Sequence, residues 1–289
     1  MNNYIKRIYL TLGFLACMSQ VFSQNLSNRG KDFWVGYGIH QFMETGQPNT
    51  QEMVLYFSAE QAANVTVTID GTAYIRNYAV PANSVIASEF LPKSGPLDAR
   101  LISLPCSFVP AGFPCGGEGV FSGKGIHIVS DVPIVAYAHT WGSASSGASM
   151  LMPVETWGYA YTTLNSVQSY QANCFSWLYV IAQHDNTLIE VTPAAITRTG
   201  KPAGTPFTVL LNRGQIYQTM AGPEAGTAKP EMSGSKIKSI TNSAGTCYPI
   251  AVFAGSSRTS GPAACGSGGG DNDNQQCFPS QAWGKRYLT

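Results

Sequence analysis

Charge is scarce in this sequence. Only 11% of its 289 residues are charged, 17 basic against 16 acidic, where an ordinary globular chain carries roughly a quarter. Without a basic excess it lacks the electrostatic footprint of a nucleic-acid binder. With 44% hydrophobic residues it does not have the composition of a disordered chain. Gly does not recur at every third position, which excludes collagen. Beyond the N-terminal segment no run of 18 apolar residues occurs, so no membrane span is expected after that segment is removed.

Catalytic and metal signatures are also missing. The four histidines, His40, His127, His139 and His184, are never two or four residues apart, so no zinc helix is present. Gly142–Gly147 misses a GxSxG nucleophile elbow by one residue. Neither a P-loop nor a dinucleotide fingerprint occurs, and no CxxC pair. The expectation is no enzyme and no cofactor. One weak calcium candidate stands out: Asp271 and Asp273 in Asp271-Asn272-Asp273-Asn274 offer oxygen ligands on what reads as a polar turn, but the Gly and bidentate Glu of a calcium loop do not follow.

Residues 1–23 have the three parts of a secretory signal peptide: Lys6 and Arg7, an apolar run from Ile8 to Met18, and Val21-Phe22-Ser23 at the cleavage position. A lipoprotein alternative runs through Cys17 in Phe14-Leu15-Ala16-Cys17. The expected location is secreted or on the outer cell surface. Cleavage would remove Cys17 and leave Cys106, Cys115, Cys174, Cys247, Cys265 and Cys277. An even set in an exported chain points to disulfides. Pairing neighbours gives Cys106–Cys115 and Cys265–Cys277, and leaves Cys174–Cys247 as a staple between distant strands.

Short runs with a period of two recur along the chain, among them 64–69, 125–129, 133–138, 177–182, 188–192, 207–211 and 249–254. They are rich in Val, Ile, Thr and aromatics and read as strands. No window reads as a long amphipathic helix, so the fold class is all-β. The chain also repeats itself. Pro133-Ile134-Val135-Ala136-Tyr137-Ala138 faces Pro249-Ile250-Ala251-Val252-Phe253-Ala254, and Pro153-x-x-x-Trp157-Gly158 faces Pro279-x-x-x-Trp283-Gly284 at an offset of 126. Two tandem β-rich repeats follow, 24–157 and 158–283, sandwich-like, with a β-propeller as the alternative. Residues 284–289 then open a third repeat or close a sheet. A strand without neighbours leaves an unpaired edge, which favours a fragment of a longer protein. Trp157 and Trp283 read as rings covering strand ends, Gly158 and Gly284 as the turns behind them. Pro133 and Pro249 read as first residues of strands, with Ser130-Asp131 turning into the former.

These landmarks resemble the IgG-Fc-binding protein family, in its N-terminal domain. The resembling pieces are Gly30–Tyr37, Ser130–Tyr137, the Pro-x-x-x-Trp-Gly-x-x-Tyr segments ending at Tyr161 and Tyr287, and Asp271–Pro279. They span nearly the whole mature chain. The resemblance implies an exported adhesion or recognition module, of the kind found in large bacterial surface proteins, with an extracellular protein, mucin or glycan as ligand. It brings no catalytic residues. The loops at 139–150 and 255–278 occupy matching places in the two repeats and are the expected contact surface. Two other readings remain open: a glycan hydrolase, which needs Asp98, Glu118, Asp131 or Glu155 to converge in one cleft, and a structural envelope subunit.

Overall fold

The computed structural model describes residues 27–43, 49–102, 118–142, 145–166, 174–222, 230–260 and 270–284. The signal segment with Cys17, together with Cys106, Cys115, Cys265 and residues 285–289, lies outside the described residues. The described residues form antiparallel sheets and short 3-10 turns, and contain no helix long and apolar enough to cross a membrane. The all-β expectation is met.

Sixteen strands lie in three sheets among the described residues. The first sheet has β1 (Arg29–Val35), β2 (Glu52–Ala59), β3 (Ala63–Ile69), β4 (Ile75–Val80), β5 (Ser84–Ala87), β7 (Ile126–Gly142) and β8 (Ser145–Met150). The second has β6 (Gly119–Phe121), β10 (Ser176–Ala182), β13 (Ile216–Met220), β15 (Ile250–Thr259) and β16 (Asp271–Gln276). The third has β9 (Ala160–Thr162), β11 (Thr187–Thr192), β12 (Phe207–Leu211) and β14 (Lys236–Ile240).

The second sheet is the middle layer. Every residue of β10 is buried, which is why its sequence is an apolar run rather than an alternation. Trp177, Tyr179 and Ile181 point into one core, shared with Phe33, Leu55, Phe57, Val67 and Ile128 of the first sheet. Leu178, Val180 and Ala182 point into a second core with Ile189, Val191 and Ile237 of the third. The facing strand β15 divides likewise, Ala251 and Phe253 to one side, Ile250, Val252 and Ala254 to the other. Each large side chain buried here contributes on the order of 2–3 kcal/mol.

The ladders of the first half recur in the second. Strand β2 pairs with β7 through Phe57↔Ala136, and β10 with β15 through Val180↔Val252. Strand β7 pairs with β8 through Tyr137↔Met150, and β15 with β16 through Phe253↔Gln276. The pairs β2–β5, β3–β4, β3–β7 and β1–β7 correspond to β10–β13, β11–β12, β11–β14 and β9–β14. One difference separates the halves. In the first, β7 is continuous over 17 residues and carries both groups of ladders, so that half is one curled sheet. In the second, β14 and β15 are separate strands, and the half is a two-sheet sandwich.

Several local expectations are corrected. Pro133 does not begin a strand, because β7 runs through it without a turn at Ser130-Asp131. The strand changes partner there. It pairs with β3 as far as Ser130 and with β2 from Val135, and the β1 ladder jumps from Val129↔Asp32 to Ile134↔Gly30. A bulge of this kind tolerates the missing N–H of Pro133. Asp131 instead accepts hydrogen bonds from Asn64 N and Nδ2 at 2.8 and 2.7 Å. Pro249 does lie just ahead of its strand, β15.

The polar run 271–276 is a strand, not a turn. Its buried side chains, Asn272, Asn274 and Gln276, face β8. There Ser149 Oγ donates to Asn274 O at 2.8 Å, and Met152 N donates to Gln276 Oε1 at 2.7 Å. These bonds override the low strand propensity of Asn and Asp.

The Cys174–Cys247 staple does not form. Strands β10 and β15 pair from Ser176↔Ser256 to Ala182↔Ile250. Cys174 precedes the first of these rungs and Cys247 precedes the last. About 20 Å of ladder, at about 3.4 Å per residue, separates them, where a disulfide needs Cα atoms within about 7 Å. Cys247 carries a free thiol whose Sγ donates to Ser239 Oγ at 3.3 Å. Cys277 is also a free thiol, and burial pushes its pKa up to about 12.

Candidate functional site

Along β7, even-numbered residues such as Ile134, Ala136 and Ala138 enter the core, and odd-numbered ones face outward. The outward set includes Tyr137, His139 and Trp141. Pairing with β2 and β8 places Tyr56 beside Tyr137 on one side and Met150 on the other. Phe90, just past β5, sets its ring edge-on to Trp141 at 5.9 Å. His139 lies between Tyr56 at 6.1 Å and Trp141 at 6.4 Å. The result is an aromatic stripe on the outer face of the first sheet. Phe90 is 52% exposed, Trp141 41%, Tyr137 38% and Met150 37%.

Polar groups edge the stripe. His139 Nε2 bonds to Ser146 Oγ at 2.8 Å, and burial holds its imidazole below the usual pKa. Lys93 pairs with Glu52 at the Trp141 end. Large aromatic faces on rigid strands, with two side-chain torsions each, make adaptable contacts at low entropic cost.

The two segments expected as contact loops fare differently. Residues 145–150 and 271–276 are both strands, β8 and β16. They pack on each other: Ser146 N donates to Asp271 Oδ1 at 3.0 Å, and any side chain on Gly147 would run into Asn272. The outward side chains of Trp141, Ser146, Ala148 and Met150 stay open to solvent, whereas much of 271–276 is spent on this contact. Residues 143–144 and 261–269 of these segments lie outside the described residues.

A smaller polar cleft, about 280 Å³, lies at the seam between the halves. Asp32 Oδ1 holds His127 Nε2 at 2.9 Å, and the His127 ring stacks on Trp34 at 4.0 Å. From the second half, Gln183 Nε2 reaches Asp32 Oδ2 at 3.4 Å, and Arg213 lies over Trp34 and pairs with Asp70. These bonds tie the halves together.

Three of the four carboxylates of the hydrolase reading, Asp98, Glu118 and Asp131, have partners of their own. Burial pulls Asp98 upward, but hydrogen bonds from Arg100 outweigh it and hold the group below its usual pKa. The Asn64 backbone and side-chain bonds do the same for Asp131. Glu118 accepts from Thr199 N and Oγ1 and pairs with Lys201 at 3.1 Å. Glu155 lies beside Gly30. A general acid needs a raised pKa, and Asp98 and Asp131 move the other way. For the calcium candidates, Asp271 is bound by Ser146 N, and Asp273 Oδ2 accepts from Ser166 Oγ at 2.5 Å. Among the described residues no three His, Cys, Asp or Glu side chains cluster as metal ligands.

The Pro-x-x-x-Trp-Gly segments form two corners. Each has a 3-10 turn, at Val154–Thr156 and Ser280–Ala282, preceded by an extended Pro153 or Pro279. In each the indole Nε1 donates to the carbonyl five residues back, Trp157 to Met152 O at 3.4 Å and Trp283 to Phe278 O at 3.2 Å. Gly158 must be Gly, since a side chain there would collide with Pro279 and Gln281; one on Gly30 would collide with Pro153. Gly284 follows Trp283 as Gly158 follows Trp157.

Three antiparallel sheets, a pair of equivalent Trp corners and an exposed aromatic face define an all-β module with a surface suited to contact. Residues 147–289, just under half of the chain, match the family model described as IgGFc binding protein. The match starts within β8 and takes in all of the second half; the resemblance read from the sequence reaches further, to Gly30. No curated protein and no solved structure matches the chain.

Proposed function

We propose that this protein is an exported, non-catalytic recognition module of the IgG-Fc-binding type, built from one β-rich unit used twice, residues 24–157 and 158–283. Its contact surface is the aromatic stripe of Tyr137, His139, Trp141, Phe90 and Met150, and its ligand an extracellular glycoprotein, mucin or related glycan. The stripe is the observation that carries this reading. Four large side chains stand more than a third exposed on one rigid sheet face, where a solitary domain gains nothing by leaving them in water. The family match of residues 147–289 supports a binding role, and the sequence of residues 1–23 supports export. The duplicated unit is supported by the shared ladders and by the two corners. The test is a glycan and mucin array probed with the full chain and with Trp141→Ala and Tyr137→Ala. Loss of signal in both variants is expected; unchanged signal would remove the stripe as the contact surface.

A further inference from the structure

An apolar groove of about 600 Å³ opens beside the second corner, walled by Thr162, Leu164, Cys277, Phe278, Ala282 and Trp283. Leu164 is 63% exposed, Phe278 49% and Trp283 47%. Their counterparts in the first half are Gly36, Met152 and Trp157. The register supports this equivalence, because Gly30↔Ile134 and Phe33↔Ile128 in the first half correspond to Gly158↔Ile250 and Tyr161↔Ile237 in the second. The backbone repeats it too: Leu151 N donates to Ala136 O at 2.9 Å, and Cys277 N to Val252 O at 2.8 Å. Yet Gly36 is buried against Ile216 and Tyr179 of the second half, Met152 is 5% exposed and Trp157 4%. The same local structure is buried in one half and open in the other.

What buries the first set is the second half itself. Gln276 clamps the backbone of Met152, accepting from its N at 2.7 Å and donating to its O at 3.4 Å. Pro279 and Gln281 press on Gly158. Cys277 and Phe278 line the narrow seam left against Trp157. The occupant of the first seat is thus a complete unit, which arrives through the strand that Gly158 opens and closes with its own Pro corner.

We propose that the groove at Leu164, Phe278 and Trp283 is a seat for a further unit of the same plan, joined to the chain after the second Trp-Gly corner. Phe278 offers the backbone N–H and C=O that Met152 offers, and Gly284 the bare backbone that Gly158 offers. The occupant's chemistry follows from the first seat: a strand carrying a Gln-type amide that brackets a backbone N–H and C=O, then a Pro-initiated turn. Tethering through the continuous chain supplies the effective concentration that docking needs. The inference rests on the duplicated plan but not on ligand binding, so an array result leaves it untouched.

The test extends the full chain. Trp283 is joined directly to a second copy of residues 158–283, so that a Trp-Gly junction is recreated. The terminal tryptophan of the added copy is replaced by Phe, which leaves Trp283 unique. Hydroxyl-radical footprinting with mass spectrometry reads Trp283 against Trp157. In the present chain Trp283 should oxidise at least tenfold faster than Trp157. In the extended chain it should fall to within about twofold of Trp157, and thermal unfolding should show one transition. Leu164→Lys with Phe278→Lys in the seat should release the added unit and split the melt in two. A Trp283 as reactive in the extended chain as in the present one would overturn the proposal. An added unit that fails to contribute strand signal in the far-ultraviolet would overturn it equally, because the same sequence folds on the matching seat of the first half.

Discussion

Trp157 and Trp283 make the same hydrogen bond to the carbonyl five residues behind them, yet one is 4% exposed and the other 47%. Local geometry is thus written into the Pro-x-x-x-Trp-Gly segment, and burial is decided by what packs on it. The energetic consequence is direct. Trp157→Ala should destabilise the chain by about 3–5 kcal/mol, as large-to-small changes in a packed core do. Trp283→Ala should cost less than about 1 kcal/mol, as surface changes do. Urea unfolding of the two variants checks this, and equal losses would show that the corners are energetically alike.

The two glycines at the unit openings should behave as a pair. A methyl on Gly30 meets Pro153, and one on Gly158 meets Pro279 and Gln281. Gly30→Ala and Gly158→Ala should each lower stability by about 1–3 kcal/mol, the usual cost of overpacking. Chemical denaturation measures it. Neutral substitutions at both positions would mean that the corners do not close on these strands.

His40 makes the fold acid-sensitive. It is fully buried, and burial, helped by the Arg258 charge, lowers its pKa to about 3. Phe42 N–H donates to Nδ1 at 3.0 Å, so Nε2 carries the proton that faces Ser145 Oγ, also at 3.0 Å. A second proton would have to enter at Nδ1, against that N–H. The folded histidine takes it up only near pH 3, whereas an unfolded one does so near 6.5. Between these values the unfolded state binds more protons, so stability falls as the pH drops and is fully present above about 6.5. Between pH 7.5 and 4.5 the chain should lose about 2–3 kcal/mol more than His40→Gln does. Parallel losses in the two proteins would contradict the assignment.

Much of this arrangement is legible in the amino-acid order, and what is not has a physical cause. Strands such as Trp177–Ala182 and Phe207–Leu211 follow from apolar and β-branched content. The corners follow because only Pro, Trp and Gly suit an extended cap, a covering ring and a close approach. By contrast, Asp271–Gln276 looks like a turn, since its side chains are polar and the groups that bond to it on its buried face, Ser149 and Met152, are more than a hundred residues away, although its ladder partner β15 is near. Pro133 looks like a strand start because a partner switch in mid-strand leaves no local mark. Cysteine spacing gives no hint that Cys174 and Cys247 fall at opposite ends of one ladder. The stripe is half legible. His139 and Trp141 lie in a segment singled out from the sequence, and period-two counting extends it to Tyr137. Tyr56 and Phe90 join only through the register of β2 and the path after β5.

The most direct test of the recognition account is a glycan and mucin array with the full chain and its Trp141→Ala and Tyr137→Ala variants, both changed at exposed positions. The account predicts specific retention by the parent chain and at least a tenfold loss in each variant, of the size expected when an interface anchor is truncated. Equal retention by parent and variants would contradict it.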